Sequence, residues 1–340
     1  MGASRCNTNC RSVLVAVCCL ILFLARRSGA EDVAVQPATV RGELIVVQGA
    51  AGDDTYAQVF ADSATAWRKL AEQASLNLHS IGPGTGAPSD REQLQTLLEQ
   101  YVTKADGTSD VHAQSPICLV LIGHGTFNLG KAKFNLQGPD LTSEDLLKWL
   151  AGITRPVAIV DCSSASAPFL EKLSAANRVI VTATRAGTEQ NYARFGEYLA
   201  RAIGDEATDL DHDGAVSILE AFVRAAHDTE QFYRDESRLA TEHALLDDNG
   251  DQAGTPADFF RGIRAVGKAS DGRSVDGLRA HQWLLRTFSE EPVLSDEKLT
   301  RRNELETQLE AFREEKKRMS EDEYYAALEP LLVELSRLSD

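Results

Sequence analysis

Cysteine is scarce outside the first twenty residues: Cys6, Cys10, Cys18 and Cys19 crowd that stretch, and only Cys118 and Cys162 follow it. Two isolated cysteines supply neither a disulfide framework nor a zinc quartet. Positive charge is also short, with 35 Lys and Arg against 51 Asp and Glu and a net charge of −16. Binding to a phosphate backbone needs a basic face, so nucleic acid is not an expected partner. The apolar run Val13 to Ala25 is 13 residues long, short of the roughly 20 that span a bilayer. Aromatic residues are few at 6%, yet hydrophobic residues make up 43% and charged residues 25% of the 340. That balance removes collagen-like, low-complexity and wholly disordered classes, and the length suits about two domains.

The crowded start has the layout of a secretory signal. Arg5 and Arg11 precede the apolar run, and Ser28-Gly29-Ala30 supplies small residues before Glu31. Cleavage after Ala30 is expected, which exports the protein; a retained membrane anchor is the other reading of the same run. Neither Cys18 nor Cys19 sits where a lipoprotein signal wants its cysteine. Loss of residues 1–30 strips four arginines and no acid, taking the net charge from −16 to −20. No stable membrane insertion is expected after cleavage.

Beyond the leader, apolar runs of strand length alternate with helical spacing. Leu44–Gln48, Leu76–Ile81, Ile117–Ile122, Val157–Val160 and Arg178–Thr184 read as strands. Residues 62–74, 89–102, 142–150 and 192–203 read as helices. Strands separated by helices of this length predict an α/β, three-layer sandwich with a mainly parallel central sheet. The GPGTGAP loop at residues 82–88 is no nucleotide cradle, because its two prolines remove backbone donors and no GK[ST] follows.

Ligands of such sheets sit at the carboxyl ends of the strands. Two ends carry chemistry: ICLVLIGHGTF delivers His124 and Gly125, and VAIVDCSSASAPF delivers Cys162 at a turn into a helix. On adjacent strands about 4.8 Å apart, both side chains would share one crevice. A cysteine nucleophile needs its thiolate, which an imidazole and a helix amino terminus favour. The backbone N–H groups of Gly125 and Cys162 are the candidate oxyanion donors. Cys118, inside its strand, reads as core.

LIGHGTF followed by VDCSSASAPF resembles the strand-end pair of the caspase-like cysteine peptidases, most closely the legumain (asparaginyl endopeptidase) branch, and TATRAGTEQNYARFGEYL resembles the strand, loop and helix that follow there. The resemblance covers residues 43–204. It implies a caspase-like fold and a Cys162–His124 dyad cleaving peptide bonds in protein or peptide substrates. The alternative is a catalytically inactive caspase-like calcium-binding interaction module. The family's pocket arginine falls on Ala57-Gln58, and a pocket acid falls on Glu197, with Glu189 as the alternate carboxylate. The resemblance therefore implies an unbalanced negative pocket that prefers Arg or Lys before the cut.

A second constellation is independent of that resemblance. Asp209, Asp211, Asp213, Gly214, Ser217 and Glu220 fill positions 1, 3, 5, 6, 9 and 12 of a twelve-residue D-x-D-x-D-G-x-x-S-x-x-E loop, and Ala215 is placed to offer a carbonyl. This is the oxygen-donor pattern of an EF-hand calcium loop, and it predicts a structural calcium ion. The competing reading is an acidic turn whose Ser217 caps a helix. Asp247 to Asp251 echoes the pattern without its sixth-position glycine and reads as a plain turn.

The regions expected are thus a leader (1–30), a caspase-like domain (31–268) and a helical region (269–340). In the last, Leu299, Leu305, Leu309, Phe312 and Met319 share one helix face. Ser320 and Glu323 form a capping box before a second helix carrying Tyr324, Leu328, Leu331, Leu335 and Leu338, which Pro330 should kink. Such a hairpin packs on the domain or mediates self-association through its helices. The legumain resemblance adds the role of an inhibitory cap over the crevice.

Overall fold

The computed structural model describes residues 42–84, 86–102, 115–267, 274–288 and 294–338. The expected leader, residues 1–30, lies outside the described residues. The described residues belong to one compact unit. The protein is α/β, built on a seven-stranded, mainly parallel sheet.

The central strands are β1 (Glu43–Gln48), β2 (Asn77–Ile81), β3 (Ile117–Ile122), β7 (Val157–Asp161) and β8 (Arg178–Thr182), all parallel in the order β2-β1-β3-β7-β8. β10 (Leu245–Asp247) adds antiparallel to β8, and β11 (Thr255–Pro256) closes that edge. Every residue of β1, β3, β7 and β8 is buried, as expected of strands covered on both faces.

Alternation along the strands divides the core in two. Leu44, Val46, Val120, Val160 and Val181 face one helical layer, with Phe60 and Trp67 from α1 (Asp54–Gln73), Phe195 and Leu199 from α5 (Phe195–Gly204) and Phe222 from α6 (Ile218–Asp235). Ile45, Val47, Leu119, Leu121 and Ile159 face the other layer. It is built from Leu94 and Leu98 of α2 (Asp90–Gln100), Leu146 and Trp149 of α3 (Ser143–Trp149) and Phe169 of α4 (Ala167–Leu173).

Several boundaries depart from expectation, for local reasons. α1 begins at Asp54 rather than at residue 62, because the Asp53 carboxylate accepts the Thr55 and Tyr56 N–H groups and caps the helix earlier. The glycine-rich stretch after β3 is a three-stranded antiparallel sheet of β4 (Gly125–Asn128), β5 (Lys131–Phe134) and β6 (Leu141–Thr142). α5 starts at Phe195 rather than residue 192, where Glu242 accepts the Arg194 and Phe195 N–H groups.

At the carboxyl end, α7 (Leu278–Gln282) leads into β12 (Leu284–Thr287), which pairs antiparallel with β9 (Ala215–Ser217). α8 (Asp296–Glu315) and α9 (Glu321–Leu338) form the expected hairpin, with Pro330 inside α9 and the Ser320–Glu323 capping box present. Phe312 stacks on Tyr324 at 4.9 Å between ring centroids, and Leu305 and Leu309 are buried. No described helix is long and apolar enough to cross a membrane.

Candidate functional site

β3 and β7 are parallel neighbours with Leu121 opposite Asp161, so His124 and Cys162 follow adjacent strand ends. The Cys162 side chain belongs to the core cluster that also contains Phe60, against which the His124 ring packs. The expected juxtaposition of the two strand ends is therefore present. The chemistry at those ends differs from expectation in four respects.

First, no hydrogen bond joins Cys162 to His124 among the described residues. Nε2 of His124 lies 3.1 Å from the Ala51 carbonyl oxygen, a geometry that requires the Nε2–H tautomer as donor. The ring is held edge-on by Tyr56 at 4.6 Å and Phe60 at 5.1 Å between centroids, with Tyr192 at 5.8 Å.

Second, the Cys162 thiol points into the core. It is 5% exposed and packs on Gly196, where an added Cβ would stand 2.6 Å from the Cys162 Cβ and 3.1 Å from its Sγ. Burial, the neighbouring Asp161 and Cys118 together push the thiol far above its ordinary range, the reverse of what a nucleophile needs. Cys118 is core, as expected, and burial pushes it up to about 12.

Third, both candidate oxyanion donors are spent on the fold. The Cys162 N–H donates to the Leu121 carbonyl at 3.0 Å, and the Gly125 N–H donates to the Ser164 hydroxyl at 3.3 Å. Gly125 is glycine because a side chain there would strike the Ser164 carbonyl oxygen.

Fourth, the expected unbalanced pocket is balanced. Glu197 accepts the Tyr192 hydroxyl at 2.9 Å, with Arg194 at 3.7 Å and Arg201 at 3.9 Å. Glu189 pairs with His243 Nδ1 at 2.6 Å and with Arg185 at 3.4 Å. Gln58 sits within helix α1 and donates to Asp62. The preference for Arg or Lys thus loses its physical basis, because arginines on the same helix and loop supply the missing countercharge.

The last residue of β7 is a group to which the sequence reading gives no role. Asp161 is fully buried, and its Oδ1 accepts the Ser163 hydroxyl at 2.6 Å and the Ser163 N–H at 3.0 Å, while Oδ2 has no partner. Burial pushes this carboxyl up to about 7, although the Ser163 bonds pull the other way. An acid ending a wholly apolar strand was the signal available.

Three of the six expected ligand residues of the acidic loop, Asp209, Asp211 and Asp213, come together. Ligand oxygens of Asp209, Asp211 and Asp213 lie within 4.8 Å of one another, the one cluster of its kind among the described residues. Gly214 takes φ +82 at the sixth position. N–H groups of Asp213 and Gly214 donate to Asp209, and that of Ala215 to Asp213, so the loop is folded around its carboxylates. Burial together with Asp213 and Glu220 pushes Asp211 up to about 6. Ser217 and Glu220 take the capping role instead: the Ser217 hydroxyl and N–H each donate at 2.8 Å to Glu220, whose other oxygen accepts the Leu210 N–H. Glu220 stands outside the three-aspartate cluster, and Ala215 begins β9. The three aspartates are hard oxygen donors of the class calcium takes, while Glu220 at the twelfth position is engaged in the helix cap.

Three residues around this loop carried no sequence signal, since they lie some seventy to ninety positions downstream. Arg302 of α8 donates to Asp213 at 2.8 Å. His281 of α7 stands 3.8 Å from Asp211 and 3.6 Å from Glu306. The echo at Asp247 to Asp251 is a stapled turn: Asp247 accepts the Gly250 and Gln252 N–H groups. Asp248 beside it caps α7 by accepting the Gly277 and Ala280 N–H groups.

No family model matches the chain, and a search of curated proteins finds no match.

Proposed function

We infer that the protein is an exported, caspase-like calcium-binding interaction module that does not turn over peptide bonds. The observation that carries this reading is the Cys162 thiol packed on Gly196 and pushed out of its reactive range. The bond from His124 to Ala51 and the two spent N–H groups support it. The thiol is thus packed away, and the imidazole and both N–H groups are engaged in hydrogen bonds within the fold. Calcium has a structural part: held by Asp209, Asp211 and Asp213, it would fix the turn from which β9 and α6 start. Partners are proteins or peptides, with no role for nucleic acid on a surface of this charge.

A second reading, a cysteine endopeptidase using Cys162 and His124, is favoured by one observation, their emergence from adjacent strand ends on one face of the sheet. An electrophilic peptide probe separates the two. The module should show no labelling of Cys162 above the level found in His124→Ala. Labelling of Cys162 that disappears in His124→Ala overturns the module reading and establishes the peptidase. Calcium is tested by melting. A saturating ion should raise Tm by mass action, by about 2.7 kcal/mol of stability at a hundredfold excess over Kd. Asp209→Ala should remove the rise, and identical curves in calcium and chelator would end the claim.

A further inference from the structure

We propose that Arg302 is a built-in competitor for calcium, so that filling the loop at residues 209–220 loosens the α8–α9 hairpin from the body of the protein. The proposal rests on the calcium reading of that loop.

Arg302 comes from the first helix of the carboxyl-terminal hairpin and is 11% exposed. Its Nη1 donates to Asp213 Oδ2 at 2.8 Å, its Nε stands 3.7 Å from Glu306 Oε1 without a hydrogen bond, and its Nη2 is buried without a hydrogen-bond partner. The guanidinium makes one hydrogen bond, to Asp213, and is otherwise met by the Glu306 carboxylate, so charge rather than a full set of hydrogen bonds holds it at the loop. The other Asp213 oxygen accepts the Ala215 N–H. Oδ2 is therefore the Asp213 atom open to a cation, and Arg302 already occupies it.

A calcium ion drawing on Asp213 must either displace the guanidinium or sit beside it. Two cations sharing one carboxylate repel, so occupancy of one disfavours the other. Other polar contacts of the hairpin with the body run through α7: Gln282 Nε2 donates to the Asn303 carbonyl oxygen at 2.9 Å and reaches Glu306 at 3.3 Å, and His281 stands 3.6 Å from Glu306. The hairpin itself is tied across its two helices by Arg301 to Glu334 at 2.7 Å and Lys298 to the Leu338 carbonyl oxygen at 2.9 Å. It can thus leave as a unit when its anchor at Asp213 is lost. By linkage, whatever calcium does to the docking of α8, the docking of α8 does to calcium affinity.

The test uses the full chain, with calcium chloride as the probe. Hydrogen exchange should slow at residues 209–220 and quicken across 296–338 when calcium is added. Calorimetric titration of Arg302→Gln should show calcium bound about fivefold or more tightly than by the wild type, the lower end of ordinary couplings. Its hairpin exchange should no longer respond to the ion. Arg302→Lys, which keeps the charge without the fork, should fall between the two. If Arg302→Gln does not fold, the wild-type exchange pattern decides alone. Protection of 209–220 with no change across 296–338, or equal affinities in wild type and Arg302→Gln, overturns the competition and leaves the calcium site standing. Absence of any heat and any protection overturns the site, and the competition with it.

Discussion

Ala165, in the turn after Cys162, holds φ +54, a left-handed conformation that costs a residue with a Cβ roughly 1–2 kcal/mol. Glycine adopts this conformation without that cost, and Ala165→Gly should raise stability by up to about 1 kcal/mol, net of the extra chain entropy of glycine. Denaturant midpoints measure this, and a lower midpoint would refute it. Asp161 makes a pH prediction. Its carboxyl is raised from 3.8 to about 7 by burial, so the folded state holds a proton that the unfolded chain gives up sooner. Stability from this group is complete below pH 4 and is lost as pH rises toward 7, by at most about 1.4 kcal/mol per pH unit. Asp161→Asn should therefore stabilise at pH 8 and change little at pH 4; equal effects at both would sink the argument. The positions of His124 and Cys162 were legible in the sequence because strand ends are marked by where an apolar run stops. The direction of the Cys162 thiol was not, since it depends on Gly196, thirty-four residues away.

Caps decide where elements begin, and they account for both the hits and the misses of the sequence reading. Ser89 with Glu92 and Thr142 with Asp145 start α2 and α3 where expected, through reciprocal bonds readable from the residue spacing alone. Asp53 caps α1 without such a partner, so the first two turns, which carry Tyr56 and Phe60 to the His124 ring, fall outside the helix expected at residues 62–74. Asp53→Ala should cost about 1 kcal/mol. It should also loosen the aromatic cage, visible as changed shifts of the His124 ring in NMR spectra. Unchanged shifts with lowered stability would confine Asp53 to capping. The parallel strands were legible as unbroken apolar runs; β4–β6 and β10–β11 were not, because short antiparallel strands with mixed burial carry little periodicity.

At the scale of the whole molecule, the two described thiols report how far the strand ends open. Cys118 lies inside the central strand β3, flanked by β1 and β7, and can be reached only when the sheet comes apart. Cys162 stands at the end of β7, where release of the α5 amino terminus would be enough. Both are 5% exposed and both are raised above the ordinary thiol range, Cys118 by burial alone and Cys162 by burial with the added field of Asp161. For an interaction module whose strand-end turn is part of the core, the two should open together. Alkylation read by mass spectrometry at each site should then be suppressed by about a hundredfold or more relative to the chain in denaturant, at rates within a few-fold of each other. Calcium should slow both by a common factor, because an ion bound to the folded state lowers every opening that dissolves its loop. Cys162 reacting near the unfolded rate while Cys118 stays protected would mean that α5 lifts away locally. A mobile α5 would return the thiol to solvent beside His124 and restore the peptidase as the better account of this fold.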